Sequence, residues 1–199
     1  MIRVRKTLIV SLWLASLAAA ADEPFRPKPA TGYPSHQKVG PLVIAAVKFE
    51  TDSETKPLFG INPNEYGVLP VLLILENQGN TTLMLDQMRV AYQARRTEVL
   101  PTPAHELPSI LAPRRPRVGM RSPVPLPRKK NPLARVEFES RAFSAKTLLA
   151  AESAHGFFYF ETPFNPGAVL YITGIREGVT GKELFYAEVP IDPPAGTRP

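Results

Sequence analysis

The chain has 199 residues, about the length of one ordinary domain. Its 23 prolines and 12 glycines favour many short strands and turns over a helical bundle. Cysteine is absent, which excludes disulfides, zinc–thiolate sites, iron–sulfur clusters, thiol catalysis and a lipidated N-terminal cysteine.

Residues 1–20 read as a secretory signal peptide. Arg3, Arg5 and Lys6 form the basic start, an apolar run extends from Thr7 to Leu17, and Ala18-Ala19-Ala20 supplies small residues for cleavage. The apolar run is about 11 residues, against the roughly 20 that a spanning helix needs. Cleavage removes three of the 24 basic residues and none of the 18 acidic ones, so a net charge of +6 falls to +3. It also removes the only tryptophan, Trp13. The expected location is outside the cytoplasm, in the periplasm or the extracellular space.

Residues 21–40 carry four prolines and few apolar side chains, and are expected to be an extended, poorly ordered leader. A single β-sandwich domain is expected over residues 41–192, with a disordered tail at 193–199. Pro41–Glu50 begins it as a strand, and Glu50–Asn64 reads as a polar, turn-rich stretch. Val68–Glu76 is almost continuously apolar and too short for a typical helix, which predicts a buried central strand. Asn77-Gln78-Gly79-Asn80 is a turn. Leu83 and Leu85, then Met88, Val90 and Tyr92, alternate in two runs one residue out of step, which predicts a bulge at Asp86-Gln87. Further strands are predicted at Ala145–Leu149, His155–Glu161, Ala168–Ile175 and Glu183–Ile191. Leu133, Val136 and Phe143 allow one short helix between Asn131 and Ser144. Strands recurring at this spacing with turn chemistry between them indicate an all-β fold, an antiparallel β-sandwich of immunoglobulin-like kind.

Between Pro101 and Pro132, nine of 32 residues are proline. From Leu107 to Val136 there is no acidic residue and there are eight basic ones: Arg114, Arg115, Arg117, Arg121, Arg128, Lys129, Lys130 and Arg135. Proline lacks the donor a sheet ladder needs, so residues 103–132 are expected to form a long basic loop between the two halves of the domain. Guanidinium groups suit bidentate contacts with phosphate and carboxylate, which makes these eight residues the candidate binding site for an anionic partner. The loop holds no aromatic residue on which a base would stack, so nucleic acid is not the expected partner.

Other constellations point to less. His105-Glu106 pairs a base with a carboxylate but reads as a surface pair, and His36, His105 and His155 are too dispersed for a metal site. Glu50, Asp52 and Glu54 alternate as in a calcium loop, yet Thr55 stands where glycine is required and no closing glutamate follows. No G-x-S-x-G elbow and no glycine-rich phosphate cradle is present. The aromatic run Phe157-Phe158-Tyr159-Phe160 alternates between two faces, and both are expected to be covered. Phe164, Tyr171, Phe185 and Tyr186 are assigned mostly to the core. No cofactor and no metal is expected.

Several segments together carry a resemblance: Phe59-Gly60, Tyr66-Gly67-Val68-Leu69-Pro70-Val71, Asn77, Pro125–Leu133 and Gly156–Phe160. In these the chain resembles a group of uncharacterised exported bacterial proteins. The resemblance implies one exported domain and brings no catalytic residue. The function expected is a non-catalytic binding module of the cell envelope, contacting an envelope protein or an anionic envelope surface through the basic loop. The alternative is a metal-independent hydrolase acting on envelope material.

Overall fold

The computed structural model describes residues 25–111, 132–184 and 186–192, with the backbone alone at 132–136. In chain order the strands and helices are β1 (Gln37–Val39), β2 (Leu42–Lys48), α1 (Asp52–Phe59), β3 (Leu69–Asn77), β4 (Leu83–Met84), β5 (Arg89–Ala94) and β6 (Thr97–Val99). They continue with α2 (Leu107–Ile110), α3 (Pro132–Arg141), β7 (Thr147–Leu148), β8 (Ser153–Phe160), β9 (Val169–Thr173), β10 (Arg176–Glu177) and β11 (Ala187–Pro190). The fold is mostly β. All strand pairs between these elements are antiparallel, and they form three sheets among the described residues: β1-β2-β3-β8, β11-β9-β5-β6 and a small β10-β4-β7.

Side-chain alternation along each strand decides how the layers stack. On β3, Leu69, Val71, Leu73 and Leu75 point to one core, while Leu72 and Ile74 point to another. The first core lies between the two large sheets, where these leucines meet Tyr92 of β5, Leu170 and Ile172 of β9 and Val189 of β11. The second lies on the outer face of the first sheet, under Phe59 of α1, Leu107 of α2 and Phe138 of α3. A strand buried on both faces must be apolar at every position, and β3 is nearly so. Pro70 is tolerated because it sits at the start of the strand, where its carbonyl still accepts from Phe49 N–H at 3.0 Å.

Several expectations are corrected. Glu50–Asn64 is not simply turns. Thr51 opens α1, and Glu54 reaches back to accept from the Thr51 N–H at 2.9 Å and from its hydroxyl at 2.8 Å. Gly60, at φ 74°, closes the helix in the left-handed conformation. Residues 25–40 pack instead of trailing as a leader: Ala30 is fully buried and donates its N–H to Glu76, and the Ser35 hydroxyl donates to Ala46 O at 2.8 Å. No bulge forms at Asp86-Gln87. The chain turns there, with Met88 N–H bonded to Leu85 O, and passes from the small sheet to the second large one. The out-of-step alternation thus marks a change of sheet.

The aromatic run behaves as alternation requires. Phe157 and Tyr159 face the helices, while Phe160 enters the core between the sheets and Phe158 stacks on Phe143. Phe143 lies past the end of α3; the side chains of Leu133 and Val136 lie outside the described residues, and among those described on that helix Phe138 is buried. Tyr186 is 55% exposed and is not core; Phe185 lies outside the described residues.

Candidate functional site

Of the eight basic residues singled out from the sequence, Arg114, Arg115, Arg117, Arg121, Arg128, Lys129 and Lys130 lie outside the described residues. Arg135 lies on α3, where the backbone alone is described. What the structure does place is the two ends of this segment. On the N-terminal side, Leu107 and Leu111 are buried against the outer face of the first sheet, so within 103–132 residues 107–111 are a short packed helical turn and not loop. On the C-terminal side, the Phe138 ring stacks on Phe59 with centroids 4.9 Å apart.

Hydrogen bonds hold the second end in place. Tyr159, almost wholly buried, donates its hydroxyl to Phe138 O at 3.0 Å. Burial pushes this phenol far above its ordinary range, so it stays a donor at any working pH. Arg141 Nε donates to Leu58 O at 2.8 Å and its guanidinium pairs with Glu137 at 3.1 Å, which ties α3 to the end of α1. Helices α2 and α3 also pack on each other. Residues 112–131 therefore leave and rejoin one helical layer. They contain seven basic residues and no acidic one.

The other candidates have structural roles. Glu50 pairs with Lys48 at 2.7 Å, and Lys48 also pairs with Asp192 at 3.2 Å while lying 3.5 Å from the Phe164 ring centroid. Burial alone would lower the Lys48 pKa; its two carboxylate partners outweigh that and raise it. Asp52 is bonded to Lys56 and Asn62, which hold its carboxyl below the usual range. Burial pushes Glu54 up, but hydrogen bonds from Thr51 and Glu50 reverse the direction and leave it lowered. The calcium-like acids are thus a helix cap and its ion pairs. His105 Nε2 stands 3.7 Å from Glu106 Oε1 with both side chains more than half exposed, a surface pair. Among the described residues no three His, Asp or Glu side chains gather as a metal site would require.

One feature that sequence reasoning missed is a cleft of about 400 Å³ beside the edge strand β8. Phe25, Arg141, Ser144, His155 and Phe157 line it. The Phe25 ring lies 5.8 Å from Phe157 and 6.3 Å from His155. Nothing in the local sequence joins positions 25, 141 and 155. The alternation of β8 is the one signal available, because it puts His155 on the same face as Phe157 and Tyr159.

No family model matches the chain, and no curated protein matches it. Among solved structures it is similar to a "putative lipoprotein (ycdA)" from Bacillus subtilis, with 14% identity and a TM-score of 0.41. That similarity covers 80% of this chain and 38% of the other, so the chain spans well under half of the other protein's length. At that identity and TM-score the likeness assigns neither fold nor function. Among the described residues, no helix is long and apolar enough to cross a membrane.

Proposed function

We propose that the chain is an exported binding module of the bacterial cell envelope, an immunoglobulin-like sandwich that presents an arginine-rich segment to an anionic partner and catalyses no reaction. The strand order supports the immunoglobulin-like reading. With β1 and the small sheet set aside, the first, second and fifth strands in chain order (β2, β3 and β8) share one sheet, and the others pair as β11-β9-β5-β6. The observation that carries the function is the anchoring of both ends of residues 112–131 on one helical layer packed against the sheet. Seven cationic side chains and no anionic one lie between those anchors. Such a segment sets positive charge against a remainder of the mature chain that is net acidic, with 14 basic and 18 acidic residues.

The test is retention on vesicles containing phosphatidylglycerol, beside neutral phosphatidylcholine vesicles and an extract of envelope proteins. Binding at low ionic strength should be lost as the screening length falls from about 30 Å at 0.01 M to about 3 Å at 1 M salt. Replacing Arg114, Arg115 and Arg117 by Gln should weaken it. Salt-insensitive retention, or retention unchanged in the triple variant, overturns the proposal. Retention by extract proteins alone would make the partner an acidic protein.

A further inference from the structure

Strand β8 is an edge of the first sheet, and its outward side is only half covered. Two bonds show which way its backbone points. Phe143 N–H donates to Phe157 O at 3.1 Å, and Thr102 N–H donates to Tyr159 O at 2.7 Å. Both donors lie on the side away from β3, so the odd-numbered residues of β8 direct their peptide groups outward. The partner side agrees: Asn77 N–H, at the end of β3, donates to Glu152 O. By the same alternation, the N–H and C=O of Ser153 and His155 also point outward. Phe157 is bridged to Ala142 and Tyr159 to Thr102, whereas no described segment bridges Ser153 or His155 on that side. Both residues are exposed.

An edge with free ladder groups recognises another extended backbone. The cleft beside it specifies more. Its aromatic walls are Phe25 and Phe157, and its charged or polar lining consists of His155, Ser140, Ser144 and Arg141, whose bonds to Leu58 O and Glu137 use Nε and one Nη of its five-donor guanidinium. A volume of about 400 Å³ holds one or two side chains. We propose that the open half of the β8 edge takes an extended acidic peptide. The peptide backbone would pair with Ser153 and His155, an apolar side chain would lie against Phe25 and Phe157, and a carboxylate would lie toward Arg141. The proposal uses no residue of the arginine-rich segment, and it stands or falls without it.

The probe is the acetylated hexapeptide Thr-Val-Thr-Val-Asp-Glu, compared with its neutral counterpart ending in Asn-Gln. Both are titrated into the full mature chain, followed by backbone amide NMR and fluorescence anisotropy. The acidic probe should shift and protect the Ser153 and His155 amides, and bind about tenfold tighter than the neutral one. His155→Pro removes one outward donor and none of the bonds to β3, as proline on a sheet edge does. It should weaken binding about tenfold, while His155→Ala, which keeps the backbone donor, stays within about threefold of the parent. If the proline variant does not fold, the amide map of the parent decides alone. Four results would overturn the proposal. They are no saturable shift at millimolar probe, shifts confined to another edge such as β6, a folded proline variant that binds like the parent, and equal binding of the two probes. Amides already protected in the free protein, and released by removing residues 21–24, would also overturn it and make this chain's own N-terminal segment the occupant.

Discussion

Asn77 is 2% exposed, yet its side-chain amide is almost fully satisfied. Its nitrogen donates to Thr81 O at 2.7 Å and to Leu149 O at 3.0 Å, and its oxygen accepts from Gly79 N–H at 3.0 Å. One side chain thus shapes the turn after β3 and joins it to a segment more than seventy residues away. Asn77→Ala would strip a partner from the buried Leu148 carbonyl and from the part-buried ones of Thr81 and Leu149, and should lower the unfolding free energy by about 2–4 kcal/mol in urea titration. The sequence showed Asn77 as a turn residue, which it is; its long-range role left no local trace. Glu54 was legible in a different way. It was read with Glu50 and Asp52 as a failed calcium loop, while Thr51-x-x-Glu54 is also the spacing of a capping box. Its pKa is lowered in the folded state, so its stabilisation is present above the unfolded carboxyl pKa of about 4 and is lost as the pH falls through the lower folded value. Glu54→Gln should therefore make the acid limb of a stability–pH profile shallower and leave the slope near neutral pH unchanged. Arg95 provides a test with the opposite sign. It occupies the two-residue turn between β5 and β6 at φ 56°, where glycine is at ease. Arg95→Gly should raise the melting temperature slightly, by relieving about 0.5–1 kcal/mol of backbone strain.

The strands were legible as elements; of the helical layer only α3 was, as the short helix expected between Asn131 and Ser144. Strand β3 announces itself because burial on both faces leaves an unbroken apolar run. Helix α1 hides because Pro57 lies inside it and only Thr55 and Phe59 of its eight residues are buried. Helix α2 is four residues long and begins in a proline-rich context that reads as loop. Both helices take their stability from packing on the sheet, which no local pattern encodes. This sets a boundary within the arginine-rich stretch that composition alone places too early. Leu107→Ala should cost about 2–4 kcal/mol and Phe138→Ala about 3–5 kcal/mol, because each leaves a cavity over the outer face of the sheet. Replacing residues 113–128 with a short Gly/Ser linker should cost under about 1 kcal/mol, since loop-closure entropy changes slowly with length and the anchors remain. Calorimetry on the three variants separates scaffold from segment. A linker variant that fails to fold would mean that residues 113–128 also cover a sheet face, and would remove the basis for assigning their arginines to a partner.

At the scale of the molecule, the fold is two sheets sharing a core, with a helical layer over one of them. The sequence revealed the sheets through alternation. It concealed the third layer, because part of that layer is built from residues 25–36, whose prolines and sparse apolar side chains resemble a leader. Phe25 rests on Phe49 and Phe157, Ala30 is fully buried, and the Ser35 hydroxyl satisfies a carbonyl of β2 that β1 does not reach. Truncation distinguishes packing from a mere tether. A chain starting at Ala21 retains all of these contacts, lacks Trp13, and should fold cooperatively with tyrosine-type emission alone. A chain starting at Gly40 loses β1, exposes the apolar outer ends of β2 and β3, and leaves Glu76 without the N–H of Ala30. Two hydrogen bonds, one of them buried, one edge strand and a fully buried alanine together amount to about 3–5 kcal/mol, a large part of what a domain of this size has in reserve. The shorter chain should therefore melt many degrees lower, and should bind a dye for exposed apolar surface where the longer one does not. Equal melting temperatures would show that residues 21–39 are dispensable, and that the helical layer is held by α1, α2 and α3 alone.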